Sequence, residues 1–352
     1  MKPLNREWGF DMNRPQEFSR YRHDIEVKLR SILDRYRLPL YDMIRYHLGW
    51  IDESGVVFSG NPGKMLRPSL CLFACEALCG DCLKALPAGA ALELIHNYSL
   101  IHDDIQDNDE ERRHRPAVWK IWGRAQAINA GTATKAIAGL TINEYKSLGL
   151  DPQKILDMHL LLEETVLTLL EGQFLDISFE GRTDISMDEY LSMIQKKTGA
   201  LIAASLKAGA MAASDRPETW EQFYRLGMTM GAAFQIRDDI LGIWGSAEVV
   251  GKPTGSDIMK KKKSLPIVHL FLNASAGERE FISGIYDKHE LKNPEITAVI
   301  GLLEKKGSRR YAENLVRQYS AECLDLILGL PVSDEYKQEL AGITNNLSKR
   351  MS

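Results

Sequence analysis

No stretch of this 352-residue chain approaches the roughly 20 consecutive apolar residues needed to span a bilayer. The N-terminus, Met1 to Phe10, lacks the apolar run of a signal peptide, so the sequence predicts a cytoplasmic protein. An excess of charge of one sign is missing too. With 44 basic against 48 acidic residues the net charge is −4, which argues against a nucleic-acid or anionic-membrane surface. Cysteine is sparse, at five residues. Cys71, Cys75, Cys79 and Cys82 follow one another at steps of four, four and three, a spacing that predicts one shared helix face. No zinc-type loop spacing accompanies them, so small apolar side chains packed in a core account for them best. Cys323 is distant in sequence. Alternating strand patterns are nearly absent, and the best of them, Val56-Val57-Phe58, is too short to matter. There is no fixed-period repeat and no low-complexity linker.

What is present is helical periodicity. Leu94, Tyr98, Ile101 and Ile105 recur at four, three and four, and so do Met158, Leu162, Thr165 and Leu169. Breaks fall at Pro62-Gly63, Pro87, Asp151-Pro152, Gly181, Pro217, Gly251-Lys252-Pro253, Pro294 and Pro331. Between them lie about eight to twelve segments of helical length. With 44% hydrophobic and 26% charged residues, the composition supplies a buried core. The sequence therefore predicts an all-α protein with one helical domain over residues 21–352. Residues 1–20, polar and carrying Pro3 and Pro15, read as a loose leading segment.

Two segments carry chemistry. In the first, Leu94 to Asp107, apolar residues surround Asp103, Asp104 and Asp107. Asp103 and Asp107 stand one helical turn apart on the same face. Two carboxylates at that spacing repel unless a proton or a cation lies between them. Mg²⁺ suits them, since it takes oxygen ligands, keeps several waters and completes its shell with phosphate oxygens. A solvated acidic helix end would carry the same residues, as Asp109, Glu110 and Glu111 follow directly. The second segment, Phe234 to Gly242, sets Asp238 and Asp239 in another apolar helix, 135 residues after Asp103. Two buried acidic pairs are costly to leave uncompensated, so together they point to a shared metal cluster better than either does alone.

Cations occur at matching places. Arg112 and Arg113 follow the first acids, Lys197-Thr198 lies mid-chain, and Lys252 opens a turn running through Asp257 to Lys260–Lys263. Most of that four-lysine run fits a solvated basic patch equally well. Gly63-Lys64-Met65-Leu66-Arg67-Pro68 places Lys and Arg three apart beside a glycine turn, suited to a second phosphate-bearing ligand.

Together these segments resemble the trans-isoprenyl diphosphate synthase (polyprenyl synthetase) family, the head-to-tail prenyltransferases, over about residues 60–270. The family's DDxxD motif followed by two arginines matches Asp103 to Asp107 with Arg112-Arg113. Its GKxxRP, GQxxD and KT segments match Gly63 to Pro68, Gly172 to Asp176, and Lys197-Thr198. Its FQxxDD segment and GK…D…K loop match Phe234 to Asp239, and Gly251-Lys252 with Asp257 and Lys262. The resemblance implies a helical bundle of the isoprenoid synthase type around a deep central cavity, usually a homodimer, with about three Mg²⁺ per active site. It implies that Asp103, Asp107 and Asp238 bind metal, with Asp104 and Asp239 supporting them. Arg112, Lys197, Lys262, Lys252, Gln173 and Asp176 would serve an allylic diphosphate. Gly63, Lys64, Arg67, His96 and Arg113 would hold isopentenyl diphosphate. Thr198 and Gln235 would line the place where a carbocation forms.

His96 lies seven residues before Asp103, hence on the same helix face and about 10 Å away along the axis. That separation suits a second diphosphate beside the metal site. Tyr98 and Ser99 lie five and four residues before Asp103, one turn deeper, where a side chain acts as a floor against a growing tail. By resemblance to short-chain members, a large Tyr98 beside a small Ser99 points to a C20 product, geranylgeranyl diphosphate, with C15 farnesyl diphosphate next. The bland alternative is that Tyr98 merely packs against a neighbouring helix.

Three departures from the family pattern stand out. Gly242 replaces the third Asp of the second acidic motif, Pro62 and Met65 flank the Gly63-Lys64 turn in place of the usual residues, and Thr132 and Lys135 occupy positions commonly acidic and apolar. They keep two alternatives in view: a terpene cyclase on the same fold, and a non-catalytic regulatory subunit of a prenyl synthase. Lys64, Arg67, His96 and Arg113 argue against the first; Asp103, Asp107, Asp238 and Lys197 argue against the second.

Overall fold

Prolines and side-chain caps start the helices where the sequence places its breaks. Pro152 and Pro217 sit in the first turns of long helices, where a missing N–H costs nothing. Asp151 caps Gln153 and Lys154, and Ser186 and Ser275 form capping boxes with Glu189 and Glu278. The computed structural model describes residues 19–58, 60, 63–245, 254–288 and 290–349. Most of the loose segment expected over residues 1–20, together with Pro62, Gly251, Lys252 and Pro253, lies outside the described residues.

The described chain is all-α. It runs through α1 (Ser19–Leu33), α2 (Pro39–His47), α3 (Leu66–Cys79), α4 (Leu86–Gln106) and α5 (Val118–Ile142), the last kinked at Gly123. Next come α6 (Pro152–Phe179), α7 (Met187–Ile194), a π-helical turn (Gln195–Gly199), α8 (Ala200–Ala213) and α9 (Pro217–Trp244). A short turn, α10 (Ser256–Met259), leads to α11 (Leu265–Asn273), α12 (Ala276–Tyr286), α13 (Asn293–Lys305), α14 (Ser308–Leu328) and α15 (Asp334–Lys349). More helices form than the eight to twelve expected, because the C-terminal third divides into short amphipathic pieces. The only described strands are a ribbon of Glu111–Arg112 against Arg115–Pro116; Val57 makes a single bridge to Ile51.

Helix α8 reads ALIAASLKAGAMAA and is buried almost all round, which makes it the axis of the fold. Helices α3, α4, α6 and α9 pack around it. This brings the acidic end of α4, the acidic segment of α9 and the π-turn before α8 to one end of the bundle. The π-turn inserts an extra residue where Lys197 must be presented, and such insertions often mark functional positions. It seats directly on α6: a Cβ on Gly172 would fall 2.3 Å from the Lys197 backbone nitrogen, so only glycine fits there.

The cysteine expectation holds in part. Cys71 and Cys75 are buried on α3 and burial pushes both thiols up, as expected of packing residues. Cys79, at the end of α3, is exposed instead of packed, and Cys82 does not share their helix face. Gly80 ends α3 in a left-handed cap, and Cys82 opens the following 3-10 turn.

Candidate active site

The first acidic set occupies the last turn of α4, and its members do different things. Asp104 is 1% exposed and its Oδ1 accepts from Arg112 Nε at 2.8 Å and from Arg112 Nη2. The tight turn after Arg112, with Arg113 and His114 at positive φ, folds both arginines back over α4. Asp103 and Asp107 remain half-buried. Burial pushes the Asp103 carboxyl up to about 6, opposed by Lys197 and reinforced by Asp107. Burial raises Asp107 as well, against Lys197 and Lys262.

The second set divides in the same way. Asp238 is exposed, whereas Asp239 is 5% exposed and enclosed by donors. Tyr190 Oη and the Leu265 backbone N–H (2.7 Å) donate to its Oδ2, and Gln235 Nε2 donates to its Oδ1 at 3.1 Å. Burial, and then Asp257, push its carboxyl up to about 7 against those donors. Gln235 in turn accepts from the Thr198 hydroxyl at 2.7 Å, which links α9 to the π-turn.

Cations join the two sets. Lys197 pairs with Asp176 of α6, and the buried Gln173 donates to Gln106 of α4 at 3.0 Å. Lys262 is the common neighbour. Its side chain still touches water, and the enclosing wall disfavours its charge. Asp257, Asp176, Asp107 and Asp238 together outweigh that and raise it. One ammonium thus feels acids from α4, α6, α9 and α10. Glu180, at the end of α6, joins the same field. Lys252 lies outside the described residues.

Gly242 has a steric explanation. A Cβ there would fall 2.1 Å from Asp257 Oδ2 and 2.3 Å from its Cγ. The Asp257 carboxylate therefore stands in the space that a third aspartate side chain on α9 would enter.

One to two turns back along α4 lies a second cationic group. Arg67 Nη1 sits 3.2 Å from His96 Nε2. Arg113 donates through Nη1 to the His47 carbonyl (3.2 Å) and through Nη2 to Asn97 Oδ1 (3.4 Å). Gly63 passes so close that a Cβ would meet Arg113 Nη2 at 3.1 Å. Lys64 is exposed beside Met65, whose φ of 48° turns the chain into α3. Burial, then Arg67, Arg113 and His47, hold the His96 ring neutral. Burial lowers Arg67 to about 10, with Glu93 opposing. Glu93, Asn97 and His47 were not picked out from the sequence. Glu93 and Asn97 are buried and hydrogen-bonded to each other at 2.9 Å, and only the three-residue step from Glu93 to His96 hinted at a shared face.

Tyr98 is buried, with its ring edge-on to His102 at 4.9 Å between centroids, and Ser99 Oγ donates to the His96 carbonyl. Lys135 proves unrelated to an inner wall, since it pairs with Glu163 of α6; Thr132 is exposed.

No three Asp, Glu, His or Cys side chains among the described residues form a ready-made cation cage. The carboxylates of Asp103, Asp107 and Asp238 are oxygen donors of the kind Mg²⁺ takes one or two at a time together with substrate phosphates. The model for polyprenyl synthetases matches residues 49–303. The chain belongs to the polyprenyl synthetase family. It is 36% identical over 331 residues to a (2E,6E)-farnesyl diphosphate synthase of Mycobacterium tuberculosis, covering 93% of this chain and 91% of that one. It is 38% identical over 254 residues to a geranylgeranyl diphosphate synthase of the same organism, covering 71% and 70%. A crystal structure of a polyprenyl synthetase from Streptomyces coelicolor superposes with a TM-score of 0.88 at 32% identity, covering 94% of this chain and 98% of that one. The fold is thus the all-α isoprenoid synthase fold, and this polyprenyl synthetase is a prenyltransferase.

Two outcomes follow from the geometry. Gly242→Asp restores the family's acidic triplet yet sets a carboxylate against Asp257. It should lower kcat about tenfold or more, and Gly242→Ala less, as steady-state assays would show. Metal-free protein should also carry a pH signature. The Asp103 carboxyl holds its proton more tightly folded than unfolded, so its stability contribution is present below about pH 4 and lost as pH rises through about 6. Asp103→Asn should therefore gain stability over the parent between about pH 4 and 7, on the order of 1–2 kcal/mol after allowing for water at the site. Calorimetric melting at both pH values measures it, and a pH-independent difference would refute it.

Proposed function

We propose that this enzyme condenses isopentenyl diphosphate head-to-tail with an allylic diphosphate, giving a short all-trans prenyl diphosphate of C20, or failing that C15. The observation that carries this is the pairing of two cationic groups along α4. Arg112, Lys197 and Lys262 lie among the acids, and Arg67, His96 and Arg113 lie one to two turns away. A cyclase or a silent subunit has no use for both.

Bound Mg²⁺, with Asp103, Asp107 and Asp238 as its protein ligands and about three ions per site, would supply charge neutralisation for the departing diphosphate. Arg112, Lys197 and Lys262 add fixed positive charge where negative charge develops as the allylic C–O bond breaks. Thr198 and Gln235 offer their dipoles beside the resulting cation. Arg67, His96, Arg113 and Lys64 hold isopentenyl diphosphate with its double bond towards that cation, and the proton released leaves with the diphosphate. Asp176 orients Lys197, Gln173 ties α6 to Gln106 at the end of α4, and Asp104 orients Arg112. The reaction needs water kept from the cation.

Tyr98, large and buried, supports the short product. Tyr98→Ala should lengthen it. Incubation with Mg²⁺, isopentenyl diphosphate and dimethylallyl, geranyl or farnesyl diphosphate, read by mass spectrometry, tests both claims. Chain extension supports the reading, a cyclic hydrocarbon or no turnover contradicts it, and an unchanged length in the variant removes Tyr98 as the floor.

The cytoplasmic, homodimeric state belongs to the same proposal; no described helix is long and apolar enough to cross a membrane. An exposed stripe of Leu156, Leu160, Leu167, Leu170, Phe174 and Ile177 on α6, with Ile128 and Leu140 also exposed on the neighbouring α5, supports a second copy as its cover. Sedimentation should give a dimer, and Leu167→Glu with Leu170→Glu a monomer. A monomeric parent would rule this out.

A further inference from the structure

The two aspartates of the second acidic motif face opposite ways. Asp238 is exposed on the side of Lys262, while Asp239 points into the protein. Both oxygens of Asp239 are engaged, by Tyr190, Gln235 and the Leu265 backbone N–H. Each donor comes from a different part of the site. Tyr190 is 1% exposed on α7, two turns before Lys197. Leu265 opens α11 directly after the Lys262 segment. Gln235 passes the chain of hydrogen bonds on to Thr198 in the π-turn. A carboxylate held this way organises its surroundings, and a buried one depends on its donors being present.

We propose that Asp239 is a positioning residue instead of a metal ligand, and that Tyr190 is the anchor through which it fixes the Lys262 segment, Gln235 and Thr198. The inference rests on the reading of this site as the allylic diphosphate site. It assigns Tyr190 a place that its position on α7, outside every chemistry-bearing segment, did not suggest. It also divides the motif: Asp238 serves the metal and Asp239 serves the frame.

The division can be tested because asparagine can replace Asp239 within the same hydrogen-bond chain. Its Oδ1 can accept from Tyr190 and Leu265, and its Nδ2 can donate to Gln235 once that amide turns over. Thr198 then accepts where it donated before. Calorimetry with Mg²⁺ and inorganic diphosphate should give Asp239→Asn an affinity within about twofold of the parent, while Asp238→Asn loses about tenfold or more. Tyr190→Phe leaves Asp239 short of a donor. It should raise the KM for the allylic substrate about tenfold and leave the KM for isopentenyl diphosphate within about twofold. A partly unfolded preparation moves neither KM, so the split separates positioning from simple loss of protein. Asp239→Asn weakening metal binding as much as Asp238→Asn, or Tyr190→Phe shifting neither KM, would overturn the proposal. If Tyr190→Phe does not fold, the calorimetric pair still decides. Because that pair uses no prenyl substrate, it also reports if prenyl transfer itself is absent.

Discussion

Carboxylates gathered from several helices at one end of a bundle are the constraint around which this protein is built. Asp103 and Asp107 end α4, Asp238 lies on α9, Asp176 on α6 and Asp257 on α10, and Asp257, Asp176, Asp107 and Asp238 act on the ammonium of Lys262. Lys197 and Arg112 offset Asp103 from the other side. Burial still raises Asp103 and Asp107, so these cations do not compensate them fully. These acids are poised for more positive charge, and the rest of the fold works to keep them there. The apolar helix α8 provides the axis, and the π-turn feeding it sets Lys197 against α6.

Helix α4 acts as a ruler between two cationic groups. Its last turn carries the acids, and residues about two to three turns earlier carry Glu93, His96 and Asn97 beside Arg67 and Arg113. A condensation needs two diphosphates held apart while two carbons meet. Under the proposed function, a rigid helix beside both groups would supply that separation without a moving part. Side-chain partners hold each cation in register: the buried Asp104 for Arg112, the buried Asn97 for Arg113 and the half-buried Asp176 for Lys197.

Much of this was legible in the sequence, because helix periodicity ties residue spacing to direction. Asp103, Asp107 and His96 could be set on one face from number alone, and the proline and Asp or Ser starts of the helices were equally plain. What spacing does not carry is contact between elements. Lys135 looked misplaced until α6 supplied Glu163. Gly242 looked like a loss until Asp257, fifteen residues on, proved to fill its space. His47 and Tyr190 sit in ordinary amphipathic helices, and only the packed bundle joins them to Arg113 and Asp239. Cys82 failed for a local reason, since α3 ends at Cys79 under its Gly80 cap, three residues short of what the periodic pattern requires.

The central claim is that α4 and α9 hold one diphosphate between them through metal. Crystals grown with Mn²⁺ and inorganic diphosphate would test it most directly, since manganese can be located by its anomalous signal. The account predicts manganese between the carboxylates of Asp103 and Asp107 on one side and Asp238 on the other, with the diphosphate among Arg112, Lys197 and Lys262. Manganese confined to the acids of one helix, or diphosphate bound without metal, would contradict it.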